Sequence, residues 1–366
     1  MQDAVFIGER ISQARDEFGL TQADLGSRVG LDRTAIAKIE TGRRKVSAAE
    51  LVRLAGVLDR SIDWFVVDSP PAVVSRRADP AAQGSLLLDR RIDRLARDIE
   101  YLEREHILRV PADGQRLPLP QSYEEAEAAA ARVRQWVDVP TGPLLDLQSR
   151  CEAIGLLAFS LALGDDGRDA AYVSADHWGV ALVNGSVDPG RRRFNLAHEL
   201  GHHVFADAYA PETVVSPGNE TEKLINVFVV HLLLPHADVE RAWEDFTAEH
   251  RLAAVWLAAH HRASWTAVCS QLKNVGLIDE EERNRFASNP PSAADFLQVG
   301  ERWEAELDPP SVPRDYGRRV LSAYRSGRLS AERAVDLLWG TVTENDLPEQ
   351  HDIPLDGLRR EFQPLP

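Results

Sequence analysis

Apolar residues recur at spacings of three and four along most of the chain, so helices are expected to dominate. Near the amino terminus Ala23, Leu25, Val29, Ile36 and Ile39 fall on the inward faces of short helices. Thr21 reads as the cap of a helix reaching about Val29, Gly30 as a tight turn, and Asp32 as the cap of a helix through Glu40 that Gly42 ends. Five helices fit residues 1–66. The stretch DSPPAVVSRRADPAAQG follows, too rich in Pro, Ala and Gly to pack. Beyond it Leu88, Ile92, Leu95, Ile99 and Leu102 alternate at four and three residues. That seam fits a short coiled coil pairing two chains equally with a helix packed on its own protein.

The pattern changes at IGLLAFSLAL, AAYVSA and WGVALVN, continuous apolar runs that read as about three short buried strands. Asp188 as N-cap and Pro189 in the first turn then open a helix with an apolar stripe of Phe194, Leu196, Ala197, Leu200, Val204 and Phe205. Another helix runs through NETEKLINVFVVHLLLP until Pro235 closes it. The expected fold is multidomain and mostly α, with a small α+β zincin-like unit between helical parts. Boundaries fall at 1–66, 67–118 (linker and amphipathic helix), 119–240, 241–289 and 290–366.

Chemistry concentrates in HELGH, His198 to His202. Residues four apart share a helix face, so His198 and His202 can clamp one metal ion, and Glu199 is placed to polarise a water beside it. The bland reading is a pair of satisfied core histidines, but a buried pair needs polar partners, which a metal supplies. A catalytic zinc takes three protein ligands and leaves a position open. Glu222 is the expected third ligand, with Glu220 as competitor; Glu222 also fits the reciprocal position of a capping box begun by Asn219. Asn226, one turn on, is expected to orient the ligands or to pack as a buried amide. His203 points off the shared face and reads as structural.

RRRFNLAHELGHHVFAD, followed by E-x-x-x-N-x-F and LLLP, resembles the ImmA/IrrE family of metallo-endopeptidases. The family's second segment reads E-x-x-A-N-x-F-A-x-x-L-L-M-P; this chain has Ile225, Val229 and Leu234 at the variable apolar places, and alignment on Asn226, Phe228 and Pro235 puts the metal glutamate on Glu222. The likeness runs from about Tyr123 to Ile278. It implies a zinc protease of narrow specificity that cuts helix-turn-helix repressors, with His198, His202 and Glu222 on zinc and Glu199 as general base and acid. Arg193, His203 and His231 stay open as oxyanion donors. LAAHHRASWTAVCSQLKNVGLI resembles the small helical lid that follows the family's catalytic unit, with His260 and His261 exposed.

The amino-terminal stretch resembles a Cro/repressor-type helix-turn-helix. In that fold the second helix enters the major groove, here offering Arg33, Thr34 and Lys38, with Arg43, Arg44 and Lys45 beyond it, while Gln22 reaches phosphate. Ten basic side chains against ten acidic ones leave residues 1–66 neutral, so non-specific DNA binding should be weak and salt-sensitive. A helix-turn-helix used for protein contact is the alternative.

The 366 residues, 44% hydrophobic, allow two or three domains with real cores. No apolar run is long enough to span a bilayer, and the two isolated cysteines, Cys151 and Cys269, read as buried thiols of a reducing cytoplasm. The net charge of -16 lies downstream of the neutral module and favours a target with a basic surface. From Pro290 on, RDYGRRVLSAYRSGRLSAERAVDLLWG reads as two helices, the second capped by Ser330, with Trp303, Tyr316, Tyr324 and Trp339 as docking candidates. Two rival classes remain: a regulator or an antitoxin that uses an idle peptidase fold to bind partners. Zinc is the expected ion, manganese the substitute. Expected partners are a repressor substrate, operator DNA and a second copy of the chain.

Overall fold

The computed structural model describes residues 2–58, 60, 62–66, 73–74, 85–110, 115–164, 169–175, 177–205, 220–246, 249–301 and 304–350. They form two compact units, one built from residues 1–72 with 89–94 and the other from 73–88 with 95–366.

The first unit holds α1 (Gln2–Glu17), α2 (Gln22–Val29), α3 (Arg33–Glu40), α4 (Ala48–Val57) and α5 (Ile62–Val66). Thr21 and Asp24 close a capping box on α2, Asp32 Oδ1 accepts the Ala35 N–H at the start of α3, and Gly30 turns between them at φ 75°. A Cβ on Gly26 would meet the Leu31 carbonyl oxygen at 2.5 Å, so the turn closes only over glycine. Leu25, Val29, Ile36 and Ile39 are buried as expected, whereas Ala23 is exposed. Two residues of helix turn through about 200°, so burial of Leu25 rotates Ala23 to solvent. Beneath this core the Arg15 guanidinium holds Glu40 through bonds of 2.5 and 3.1 Å, and Gln22 Nε2 donates to the same carboxylate at 2.8 Å.

Next along the chain come β1 (Val73–Val74) and α6 (Ser85–Arg104). The rest of the stretch from Asp68 to Gly84, expected not to pack, lies outside the described residues. The seam of α6 is consumed within the chain: Leu88 is 2% exposed, and Ile92, Leu95, Ile99 and Leu102 are fully buried. It therefore offers no stripe to a second copy, and the coiled-coil reading yields to the packed helix. Its second half is anchored by Asp98 on Arg333 at 2.9 Å and by Glu103, which accepts the Trp178 indole N–H at 2.7 Å.

In the second unit α7 (Tyr123–Trp136) and α8 (Leu147–Ala153) precede β2 (Leu156–Leu161), β3 (Ala170–Ser174) and β4 (Gly179–Asn184). β4 is central, antiparallel to β3 (Tyr172 opposite Ala181) and parallel to β2 (Ala158 opposite Ala181). Burial on both faces explains why these strands read as continuous apolar runs. β1 adds a fourth strand on the free edge of β3, Val73 opposite Ser174.

Then come α9 (Pro189–Val204), α10 (Glu220–Leu233), α11 (His236–Asp245), α12 (His250–His260), α13 (Trp265–Asn274), α14 (Glu280–Ala287), α15 (Ala293–Val299), α16 (Arg314–Arg325) and α17 (Ala331–Leu337). Pro189 starts α9 as expected, but the Asp188 side chain makes no cap hydrogen bond. Helices α7, α9 and α10 share one apolar cluster with the sheet. The carboxy-terminal segment is part of the same body: Ser160 and Ser311 bridge, and Ser160 Oγ donates to the Leu307 carbonyl at 2.7 Å. Tyr316 is no surface docking residue; it is fully buried, edge-on to Phe159 at 5.1 Å, with its hydroxyl donating to the Leu337 carbonyl at 2.9 Å. Tyr324 and Trp339 are half-buried, and Trp303 lies outside the described residues.

Candidate metal centre

Helix α9 is buried along nearly its whole length, which puts His198, Glu199 and His202 each at 1% exposure. The four-residue spacing aims both imidazoles the same way, and their Nε2 atoms stand 3.0 Å apart. Helix α10 crosses beside them. Gly201 permits the approach, since a Cβ there would meet Ile225 Cγ2 at 3.0 Å and Phe228 Cδ1 at 3.3 Å. The crossing brings Glu222 to the pair: one carboxylate oxygen is 3.3 Å from His198 Nε2, the other 3.8 Å from His202 Nε2. A single donor atom from each residue can be chosen so that all three lie within 4.8 Å of one another. Glu220, the competitor, is exposed and bonds Lys223 Nζ at 2.9 Å. Asn219 lies outside the described residues.

Does this set fit a metal? Two nitrogens each about 2.0–2.1 Å from one tetrahedral ion lie about 3.3 Å apart, close to the 3.0 Å seen here. Two neutral imidazoles and a carboxylate are the donors of a catalytic zinc site with a position left open, and they fit. Asn226 lies one turn after Glu222 and lines a cleft together with Asn195, a residue not singled out by sequence reasoning. Asn195 could have been found by spacing, because it is four residues before Glu199 on the same helix face.

The three oxyanion candidates are committed elsewhere. The fully buried Arg193 donates to Glu306 and to the carbonyls of Leu144 and Arg262. His203 Nε2 lies 3.1 Å from the Ile154 carbonyl, which can only accept, so that nitrogen carries the proton and Nδ1 accepts from the Tyr172 hydroxyl at 3.0 Å. Burial, with Arg116 nearby, pushes the His203 pKa down to about 3, so the ring is a neutral strut. His231 Nδ1 accepts from Gln271 Nε2 at 3.0 Å, and burial lowers its pKa. Two further expectations are corrected: His261 is buried at 1% exposure, and His260 stacks on Trp256 at 4.3 Å, half-buried. Cys151 and Cys269 are buried free thiols, and burial raises both, Cys269 to about 11.

On the first unit Arg33, Thr34, Lys38, Arg43 and Lys45 are exposed on α3 and the loop after it. Two expected DNA contacts are tied down instead. Gln22 is held by Glu40, and Arg44 bonds Glu50 at 2.6 Å, where the Ser47 N–H and Arg44 hold the Glu50 carboxyl at about 2. Buried partners attract the nearest donors before solvent or phosphate can.

Comparison with known proteins supplies the family. A helix-turn-helix model matches residues 11–65, and an IrrE N-terminal-like domain model matches residues 151–273. The chain joins a helix-turn-helix domain to an IrrE-type peptidase-family domain. A Rhodospirillum rubrum protein, described as an uncharacterized transcriptional regulator in the ATPase CF(0) region, is 35% identical over 78 residues, 21% of this chain and 67% of that protein. The crystal structure of Bacillus thuringiensis PlcR with the peptide PapR7 and DNA pairs with 91% of this chain and 92% of its own at 12% identity and a TM-score of 0.19. None of the described helices is long and apolar enough to cross a membrane.

Proposed function

We propose that the chain is a metal-dependent endopeptidase carried on an operator-binding module. Its substrate is a helix-turn-helix repressor, or an antitoxin-like partner, whose cleavage releases gene expression under stress. The observation that carries this reading is the convergence of His198 and His202, on the buried α9 that also carries Glu199, with Glu222 of α10. Those three residues would hold the ion, zinc by donor type with manganese as substitute. When bound, such an ion acidifies water and polarises a carbonyl oxygen.

The chain's own residues do the rest. Glu199, buried on the same helix as both histidines, takes a proton from the attacking water and returns it to the leaving amine. The buried α9 keeps both imidazoles from turning away. Asn195 and Asn226 line the neighbouring cleft one helical turn from the donors, with amides suited to a peptide backbone.

Glu199→Gln keeps shape and removes the base. It should retain metal, measured by elemental analysis, and lose at least about 100-fold in cleavage of the repressor encoded beside the gene, read by mass spectrometry. Undiminished turnover in that variant refutes the assignment. A wild-type chain that binds metal and operator but cuts no neighbouring repressor favours the regulator class, to which the name of the Rhodospirillum relative belongs.

A further inference from the structure

A cleft of about 1240 Å³ lies along the two helices that carry the donors, lined by Asn195 and Asn226 one helical turn from them rather than by the donors themselves. Pockets for drug-sized molecules run to about 300–1,000 Å³, so this one has room for a length of polypeptide. One wall is the pair of helices that carry the donors, presenting Phe194, Asn195, Asn226 and Val230. The other comes from α13 and α15, presenting Trp265, Ser270 and Phe296. Gly190 sets the spacing at one end, since a Cβ there would sit 3.0 Å from Ser264 Cα.

The position of the cleft fixes what it can read. Asn195 precedes His198 and Glu199 by about one helical turn, and Asn226 follows Glu222 by one. A turn rises about 5.4 Å, and extended peptide advances about 3.3 Å per residue. A side chain seated here therefore belongs to a residue one or two positions from the bond that meets Glu199. Charge narrows it further. The charged residues of the lining are Asp169, Asp188 and Arg191, and Arg191 is held by Asp169 at 2.5 Å. Asp188, an exposed residue of the same lining, makes no cap hydrogen bond with its side chain. An acidic side chain would meet Phe194, Trp265 and Phe296 and two carboxylates, while the Arg191 cation is already paired with Asp169.

We propose that this cleft is the specificity pocket of the peptidase, taking a leucine-sized or larger apolar side chain one or two residues from the scissile bond of an extended polypeptide. The proposal rests on the peptidase reading above. Its test uses the zinc-loaded full chain and synthetic peptides that differ at one position among Leu, Phe, Ala and Glu. Cleavage is read by mass spectrometry, and binding to the Glu199→Gln chain by fluorescence anisotropy. Leu and Phe should be preferred over Ala and Glu by about 10-fold or more at a fixed place one or two residues from the cut. Ser270→Trp, which fills the cleft, should abolish the preference, and Phe296→Ala should weaken it while circular dichroism stays that of the parent. Cleavage indifferent to that position, or a preference that survives Ser270→Trp in a folded chain, overturns the pocket. Peptides that bind with this preference but are never cut uphold the pocket and sink the peptidase reading instead. Absence of both binding and cleavage overturns the pocket.

Discussion

At the scale of single residues, the two glutamates at the start of α10 show where sequence stops and packing decides. Spacing left Glu220 and Glu222 both eligible, because they are two positions apart and either could cap, pair or ligate. Only the crossing of α9 and α10 brings one of them to within 3.3 Å of His198 Nε2, while Glu220 turns to Lys223. Glu222→Ala should therefore leave the purified chain with little metal, and Glu220→Ala should keep a full complement; equal retention in both would remove Glu222 from the ligand set. His261 carries a second prediction. Burial, then the charges of His260 and Arg134, push its pKa down to about 3, although Asp238 stands 4.0 Å from Nε2. That carboxylate already accepts the Gly142 N–H at 2.7 Å, so desolvation prevails. An unfolded histidine binds its proton near pH 6.5, and the folded one only near 3. Between those values the unfolded state holds more protons, so stability falls as pH drops from about 6.5 toward 3. His261→Phe should make urea unfolding less sensitive to acid across that window, and an unchanged pH slope would show that other groups set it.

Among the elements, capping and periodicity were legible because both are local. Thr21, Asp32 and Ser330 cap their helices as read, and the three apolar runs are strands. What escaped depends on partners distant in sequence: β1 exists only because β3 has a free edge, and the α6 seam is covered by its own chain. The site sits between these cases. Its two histidines were visible in one helix, whereas the fit to Glu222 depends on Gly201, a residue whose role appears only once α10 lies against it. Gly201→Val would drive a branched side chain into Ile225 and Phe228 and force the helices apart. Metal affinity should fall by about 10–100-fold, as when groups that support metal ligands are lost. Competition with a chelator measures this, and unchanged affinity would mean that the helix crossing does not set the site.

For the whole molecule, charge is divided as unevenly as chemistry. Residues 1–66 are neutral by ten charges against ten, so the net -16 belongs to the remainder. An acidic body tethered to a reading head repels DNA at low salt, but at physiological ionic strength the Debye length is about 8 Å and distant carboxylates are screened. Binding then depends on the cations at the contact. Arg15, Arg44 and Arg60 are spent on Glu40, Glu50 and Asp93, whereas Arg33, Lys38, Arg43 and Lys45 are exposed on and just after α3. Each phosphate neutralised contributes about -0.9 to the slope of log K against log salt, so these four cations set a slope of about -3 to -4 on operator DNA. Arg43→Ala should flatten it by about 1 and weaken binding to all sequences alike, as loss of a phosphate contact does. Fluorescence anisotropy with a labelled operator at stepped salt reads both quantities. An affinity indifferent to salt, or a slope that Arg43→Ala leaves in place, would mean that this surface grips protein rather than DNA, and the module would then serve to recognise a partner protein.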